Sequence, residues 1–138
     1  MLDAIPLFED PLRNLNMSKL EIVESWSVSD LDKNHSVIAE FSIVPVGCGE
    51  TSVSRYVAAA VNAFKNMKGL DFEVTPMGTV LAADNLGTIF EAVRQAHETV
   101  MAMGVKRLVS TLRIDDRRDK PRTMDDKVKA VEQYMREA

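Results

Sequence analysis

The sequence predicts a two-layer α+β sandwich with the element order β-α-β-β-α-β, extended by a C-terminal helix and preceded by an N-terminal segment. Three observations carry this reading. Apolar residues alternate with period two in VIAEFSIV and again in KRLVSTLRI, as half-buried strands require. Two stretches with apolar residues at helical spacing lie between those strands. Separating the two helical stretches is DFEVTPMGTVLA, which is too short to contain a crossover and is broken by Pro76 and Gly78. A chain of 138 residues is the usual size of one domain and buries a core without help from a disulfide or structural metal.

Residues 1–35 read as an extension partly ordered by docking. They carry Pro6, Pro11, a polar run from Ser25 to His35, and a short apolar stripe of Leu20, Ile22, Val23 and Trp26. The folded domain then spans residues 36–138. Its first strand, from Val37 to Val44, puts Val37, Ala39, Phe41 and Ile43 on one face and Ile38, Glu40, Ser42 and Val44 on the other. Pro45 and the glycines of PVGCGE end it. Thr51 or Ser52 is the expected cap of a helix whose apolar positions are Val53, Val57, Ala60, Val61, Phe64 and Met67, and Gly69 is expected to stop that helix. DFEVTPMGTVLA then forms two short strands, antiparallel or continuous with a bulge. A second helix runs from about Leu86 to Met103, with Ile89, Val93, Ala96, Val100 and Met103 on one face and Gly104 at its C-terminal end. After the last strand, Thr123 caps a closing helix. Its stripe of Met124, Val128, Val131 and Met135 is too small to form a core, so this helix is expected to dock on something such as another subunit.

This order is that of the ferredoxin-like fold. Both central helices cover one face of a four-stranded sheet, with the first strand in the middle beside the third and the last. If Ala39, Phe41 and Ile43 face the helices, Glu40 and Ser42 face the open side. In the last strand, core-facing Leu108, Leu112 and Ile114 likewise leave Val109, Thr111, Arg113 and Asp115 on that side. Thr75 and Thr79 flank the Pro76–Gly78 break and are expected to add hydroxyls to the same surface, with Met77 beside them. Glu40, Ser42, Thr75, Thr79, Thr111 and Arg113 then line a polar concavity able to hold a ligand or to pair with another sheet. Ser52, at the start of the first helix, is a further candidate contact or simply a cap. The bland reading of Glu40 and Arg113 is a cross-strand ion pair on a solvated sheet.

Other chemistry is poorly represented. A formal charge of −4 gives no basic excess for a phosphate backbone, so nucleic acid is not an expected partner. Cys48 is the only cysteine, which rules out an internal disulfide and Cys-pair zinc sites and points to a reducing, cytoplasmic setting. In a glycine turn it reads as structure rather than nucleophile. Asp115, Asp116, Arg117, Arg118 and Asp119 read as a salt network, not a metal site. His35 and His97 have no spaced partners for zinc or for catalysis. No apolar run is long enough to span a membrane, and the acidic, proline-bearing start is unlike a signal peptide.

The segments AEFSIVPVG, SVSRYV, TPMGTV, EAVRQAHE, RLVSTLRIDDRRDK and TMDDKV, in that order, resemble the thiamine-binding protein family from about Ser36 to Val131. The resemblance implies a ferredoxin-like homo-oligomer, typically a dimer of dimers built by pairing sheets. Such a protein binds thiamine or its hydroxymethyl-pyrimidine portion without transforming it and uses no cofactor. An aminopyrimidine needs an acceptor and a donor side by side, and a thiazolium cation favours a carboxylate, aromatic or sulfur surface. Glu40, Ser42, Thr75 and Thr79 are therefore the expected polar contacts, with Glu40 and Thr79 as first anchors. Cys48 departs from the small or hydroxyl residue usual in such proteins, and residues 1–35 have no counterpart in the family. Two alternatives stand beside this reading. One is a small enzyme using Glu40 or Asp115 as acid or base, with Arg113 orienting the substrate. The other is an interaction protein whose open face is consumed by assembly.

Overall fold

The computed structural model describes residues 37–120 and 122–138. The extension expected over residues 1–35 lies outside them. The order is β1 (Val37–Val46), α1 (Ser54–Phe64), β2 (Leu70–Val74), β3 (Thr79–Ala83), α2 (Leu86–Met101), β4 (Arg107–Asp116) and α3 (Met124–Glu137). The four strands form one antiparallel sheet in the order β2-β3-β1-β4, which is the ferredoxin-like arrangement.

Alternation in β1 determines the two layers. Val37, Ala39, Phe41 and Ile43 are buried against the helices, and their strand partners Leu81, Ala83 and Leu112 share that face. From the helices, Tyr56, Ala60 and Phe64 of α1 and Ile89, Ala92, Ala96 and Val100 of α2 complete one core cluster. The Phe64 ring meets Phe72 of β2 edge to face at 5.5 Å.

Two local expectations are corrected. The cap of α1 is Val53, in a helical conformation and without a side-chain hydrogen bond, rather than Thr51 or Ser52. The helix ends at Phe64, short of Met67, and the Met67 N–H tightens the exit by donating to the Phe64 carbonyl. Gly69, at φ +77°, therefore turns the chain into β2 and does not terminate the helix. Of the two arrangements left open for DFEVTPMGTVLA, β2 and β3 form the antiparallel one, a hairpin. Thr75 closes its turn: its N–H and hydroxyl both donate to the Gly78 carbonyl, at 2.8 and 2.7 Å, and its Oγ1 accepts from the Gly78 N–H at 3.2 Å.

At the other end, α2 is capped by Asn85, whose side chain accepts from the Thr88 N–H. The closing helix α3 has a full capping box between Thr123 and Asp126, yet none of its residues is buried. Its apolar positions Val128, Val131, Tyr134 and Met135 are all more than half exposed.

Candidate functional site

The strand register sorts the candidate residues onto two faces. Glu40 pairs with Arg113 and Ser42 with Thr111, so these four sit on the face away from the helices, as expected. Thr79 does not. It pairs with Phe41 and Val74, and its side chain is therefore on the helix side, where it is buried. Thr75 belongs to the turn and spends its hydroxyl there. The single polar concavity expected from the sequence is thus divided in two.

On the open face a hollow of about 420 Å³ is lined by Ile38, Glu40, Val80, Arg113, Asp115 and Lys127. Its carboxylates are already engaged. Arg113 Nη2 lies 3.4 Å from Glu40 Oε1, and Asp115 is paired with Lys127 of α3. An incoming cation would have to displace an existing partner from either acid, and both ion pairs are solvent-exposed.

The larger cavity, of about 830 Å³, lies on the helix side. It is a notch between α1, the β2–β3 turn and the second half of β1. Its walls are mostly apolar, from Phe41, Val57, Val61, Phe64, Val74 and Met77, with polar groups from Ser54, Asn62, Thr75 and Thr79 at intervals. Size and lining match those of small-molecule sites. Of the eight candidate residues, Ser42, Thr75, Met77 and Thr79 line this notch, and Glu40 and Arg113 line the open-face hollow. Ser52 and Thr111 line neither, and Ser54 takes the place at the helix start expected of Ser52.

Cys48, half-buried, is hydrogen-bonded to the Tyr56 hydroxyl. That bond, followed by burial, raises the phenol above its ordinary pKa, while Arg55 donates to the same oxygen at 2.7 Å. The charged run after β4 pairs internally, Arg117 with Asp119 and Arg118 with Asp116. The Asp119 carboxyl is held at about 2 chiefly by its hydrogen bonds from Arg117. Among the described residues, no group of histidine, cysteine and acidic side chains is placed to hold a metal ion, and no helix is long and apolar enough to cross a membrane.

Sheet order, helix placement and a notch at the end of the central strands define a ferredoxin-like α+β protein with a single-layer sheet open on one side. Within that class the chain belongs to the thiamine-binding protein family, whose model matches residues 39–132. A UPF0045 protein of Methanothermobacter thermautotrophicus is 45% identical over 97 residues, covering 70% of this chain and 97% of its own. A UPF0045 protein of Synechocystis is 38% identical over 120 residues, 87% of this chain and 95% of its own. Among solved structures, a hypothetical protein of Methanocaldococcus jannaschii superposes with a TM-score of 0.63 at 45% identity, over 70% of this chain and 95% of that one. A Thermotoga maritima protein, provisionally assigned to thiamine biosynthesis or salvage, shares the fold with a TM-score of 0.58 at 21% identity, over 70% of this chain and 98% of that one.

Proposed function

We propose that this protein binds thiamine or its hydroxymethyl-pyrimidine portion non-catalytically, in the notch between α1, the β2–β3 turn and β1. The carrying observation is the notch itself: about 830 Å³, apolar on its walls, with separated polar groups, in a chain of the thiamine-binding family. The open face is the weaker candidate because Glu40 and Asp115 already have cationic partners. In the notch, the partly exposed Val57, Val61 and Val74 offer apolar surface to a pyrimidine, and the exposed Met77 offers a polarisable sulfur at the mouth to a thiazolium.

The test is calorimetric titration of the full chain with thiamine and, separately, with hydroxymethyl-pyrimidine. Saturable binding near micromolar, about −8 kcal/mol, supports the reading, and no heat with either compound refutes it. Ala58→Trp places a ring in the mouth of the notch from an exposed helix position, so it is expected to abolish binding and leave thermal stability unchanged.

A second feature favours self-association. The open face exposes Val44, Val46 and Val109, and α3 leaves its whole apolar stripe uncovered. The occupant we propose is a second copy of this chain in a cytoplasmic homo-oligomer. Sedimentation of the full chain at micromolar concentration is expected to give a dimer or tetramer, and a monomer would refute this part.

A further inference from the structure

We infer that the polar half of the ligand site is main chain, and that the peptide groups of Ile43 read the edge of a heteroaromatic amidine, a ring nitrogen flanked by an amino group. This deepens the reading of the notch as a ligand site and rests on it. The observation behind it is an unequal pair of ladders on β1. On one side β4 pairs with the strand through Val46, whereas on the other β3 pairs with it only as far as Phe41. From Ser42 to Val46, no described strand partners that edge, and this uncovered edge runs along the notch, where Ser42, Ile43 and Val44 form part of the wall.

Which peptide groups point there follows from Gly78. A Cβ built on Gly78 would stand 3.0 Å from the Phe41 carbonyl oxygen, so that carbonyl faces the hairpin. In an antiparallel strand, the N–H and C=O of one residue point to the same side, and successive residues alternate. Ile43, two residues beyond Phe41, therefore directs both its N–H and its C=O toward the missing rung. Ser42 and Val44 direct theirs to β4, where they are paired with Thr111 and Val109. Pro45, the next residue on the notch side, has no N–H to offer. The uncovered edge thus presents a donor and an acceptor together on Ile43, with the Pro45 carbonyl as a further acceptor beyond them, in the plane of the sheet. They are flanked by apolar walls on which a flat ring can lie.

A donor beside an acceptor is the complement of an aminopyrimidine edge, where the ring nitrogen accepts and the exocyclic amine donates. It is the same exchange by which an extended peptide adds to a strand edge, performed here by a heterocycle. The 4-oxo counterpart of the pyrimidine presents a carbonyl in place of the amine and an N–H in place of the ring acceptor. In the same orientation it therefore opposes donor to donor and acceptor to acceptor, and turning the ring over to restore both bonds exchanges the 2-methyl and 5-hydroxymethyl groups against the walls.

The experiment titrates the uniformly ¹⁵N-labelled full chain with 4-amino-5-hydroxymethyl-2-methylpyrimidine and with its 4-oxo counterpart, following amide shifts and hydrogen exchange. Expected is a downfield shift and slowed exchange at the Ile43 amide with the amino compound, and at least tenfold weaker binding of the oxo compound. Saturable binding that leaves the Ile43 amide unchanged, or equal affinity for the two compounds, overturns the main-chain site while sparing the thiamine-binding reading. Absence of saturable binding by the pyrimidine and by thiamine overturns both.

Discussion

Gly78→Ala tests the contact on which the notch geometry depends. The added methyl would sit 3.0 Å from the Phe41 carbonyl oxygen and 3.6 Å from Glu40 Cγ. Ordinary contact needs about 3.4–4 Å, so several tenths of an ångström must be found. The glutamate side chain can swing away. The carbonyl cannot, because it belongs to the central strand, with β3 on one side and β4 on the other. The hairpin must then retreat, loosening the Phe41–Thr79 rung and the Thr75 turn. Overpacking of this kind costs about 1–3 kcal/mol. At roughly 4–8 °C per kcal/mol for a domain of this size, the Tm falls by roughly 5–20 °C. Gly78 is not among the glycines with positive φ, so the loss would be one of contact and not of dihedral strain. Thermal unfolding followed by circular dichroism measures it. A Tm within about 1 °C of wild type would show that the hairpin yields freely, and would refute the close approach that orients the Phe41 and Ile43 peptides.

Other outcomes follow from the same structure. Glu40→Ala removes a solvent-exposed ion pair at 3.4 Å and is expected to change unfolding free energy by less than about 1 kcal/mol in urea titration, leaving any binding defect interpretable. Phe64→Ala empties a position 1% exposed at the floor of the notch and is expected to cost about 3–5 kcal/mol by denaturant unfolding. The Asp126 carboxyl is held below its usual pKa, first by the Thr123 N–H and then by the Thr123 hydroxyl. Its contribution to α3 is therefore complete above the unfolded value near 3.9 and is lost as pH falls through the lower folded value. Protection against amide exchange in α3, relative to the intrinsic rate at each pH, should fall below about pH 4, while that of β1 holds. Thr123→Ala should produce the same fraying at neutral pH.

Much of the fold was legible because β1 buries one face, so alternation named its inward residues correctly from Ala39 to Ile43; in β4 the same reasoning met a weaker signal, since Leu108 and Leu112 are only half-buried and Ile114 is 38% exposed. Family membership was equally legible, in six ordered segments. Thr79 was misplaced for a physical reason. A run with a break at Pro76–Gly78 does not specify how many residues the turn consumes, and a slip of one residue moves a side chain to the opposite face. The α1 start was misread because Thr51 and Ser52 are good caps in type, whereas the chain enters the helix at Val53, one residue after Ser52, with no side-chain cap at all. The notch was least visible, being made by a strand that stops rather than by any residue pattern. Its one trace in the sequence is arithmetic: the arms of the hairpin are five residues each, against ten in β1.

That shortfall has a consequence for how such a protein changes over time. The space beside Ile43 is not carved from small side chains; it is the absence of further rungs on the hairpin. Each pair of residues added to both arms would zip the hairpin about 7 Å farther along β1 and close part of the space. Each pair removed would open it by as much, with every inward residue keeping its face. The size of that space is thereby set at one turn, between Val74 and Thr79, independently of the residues that hold the domain together.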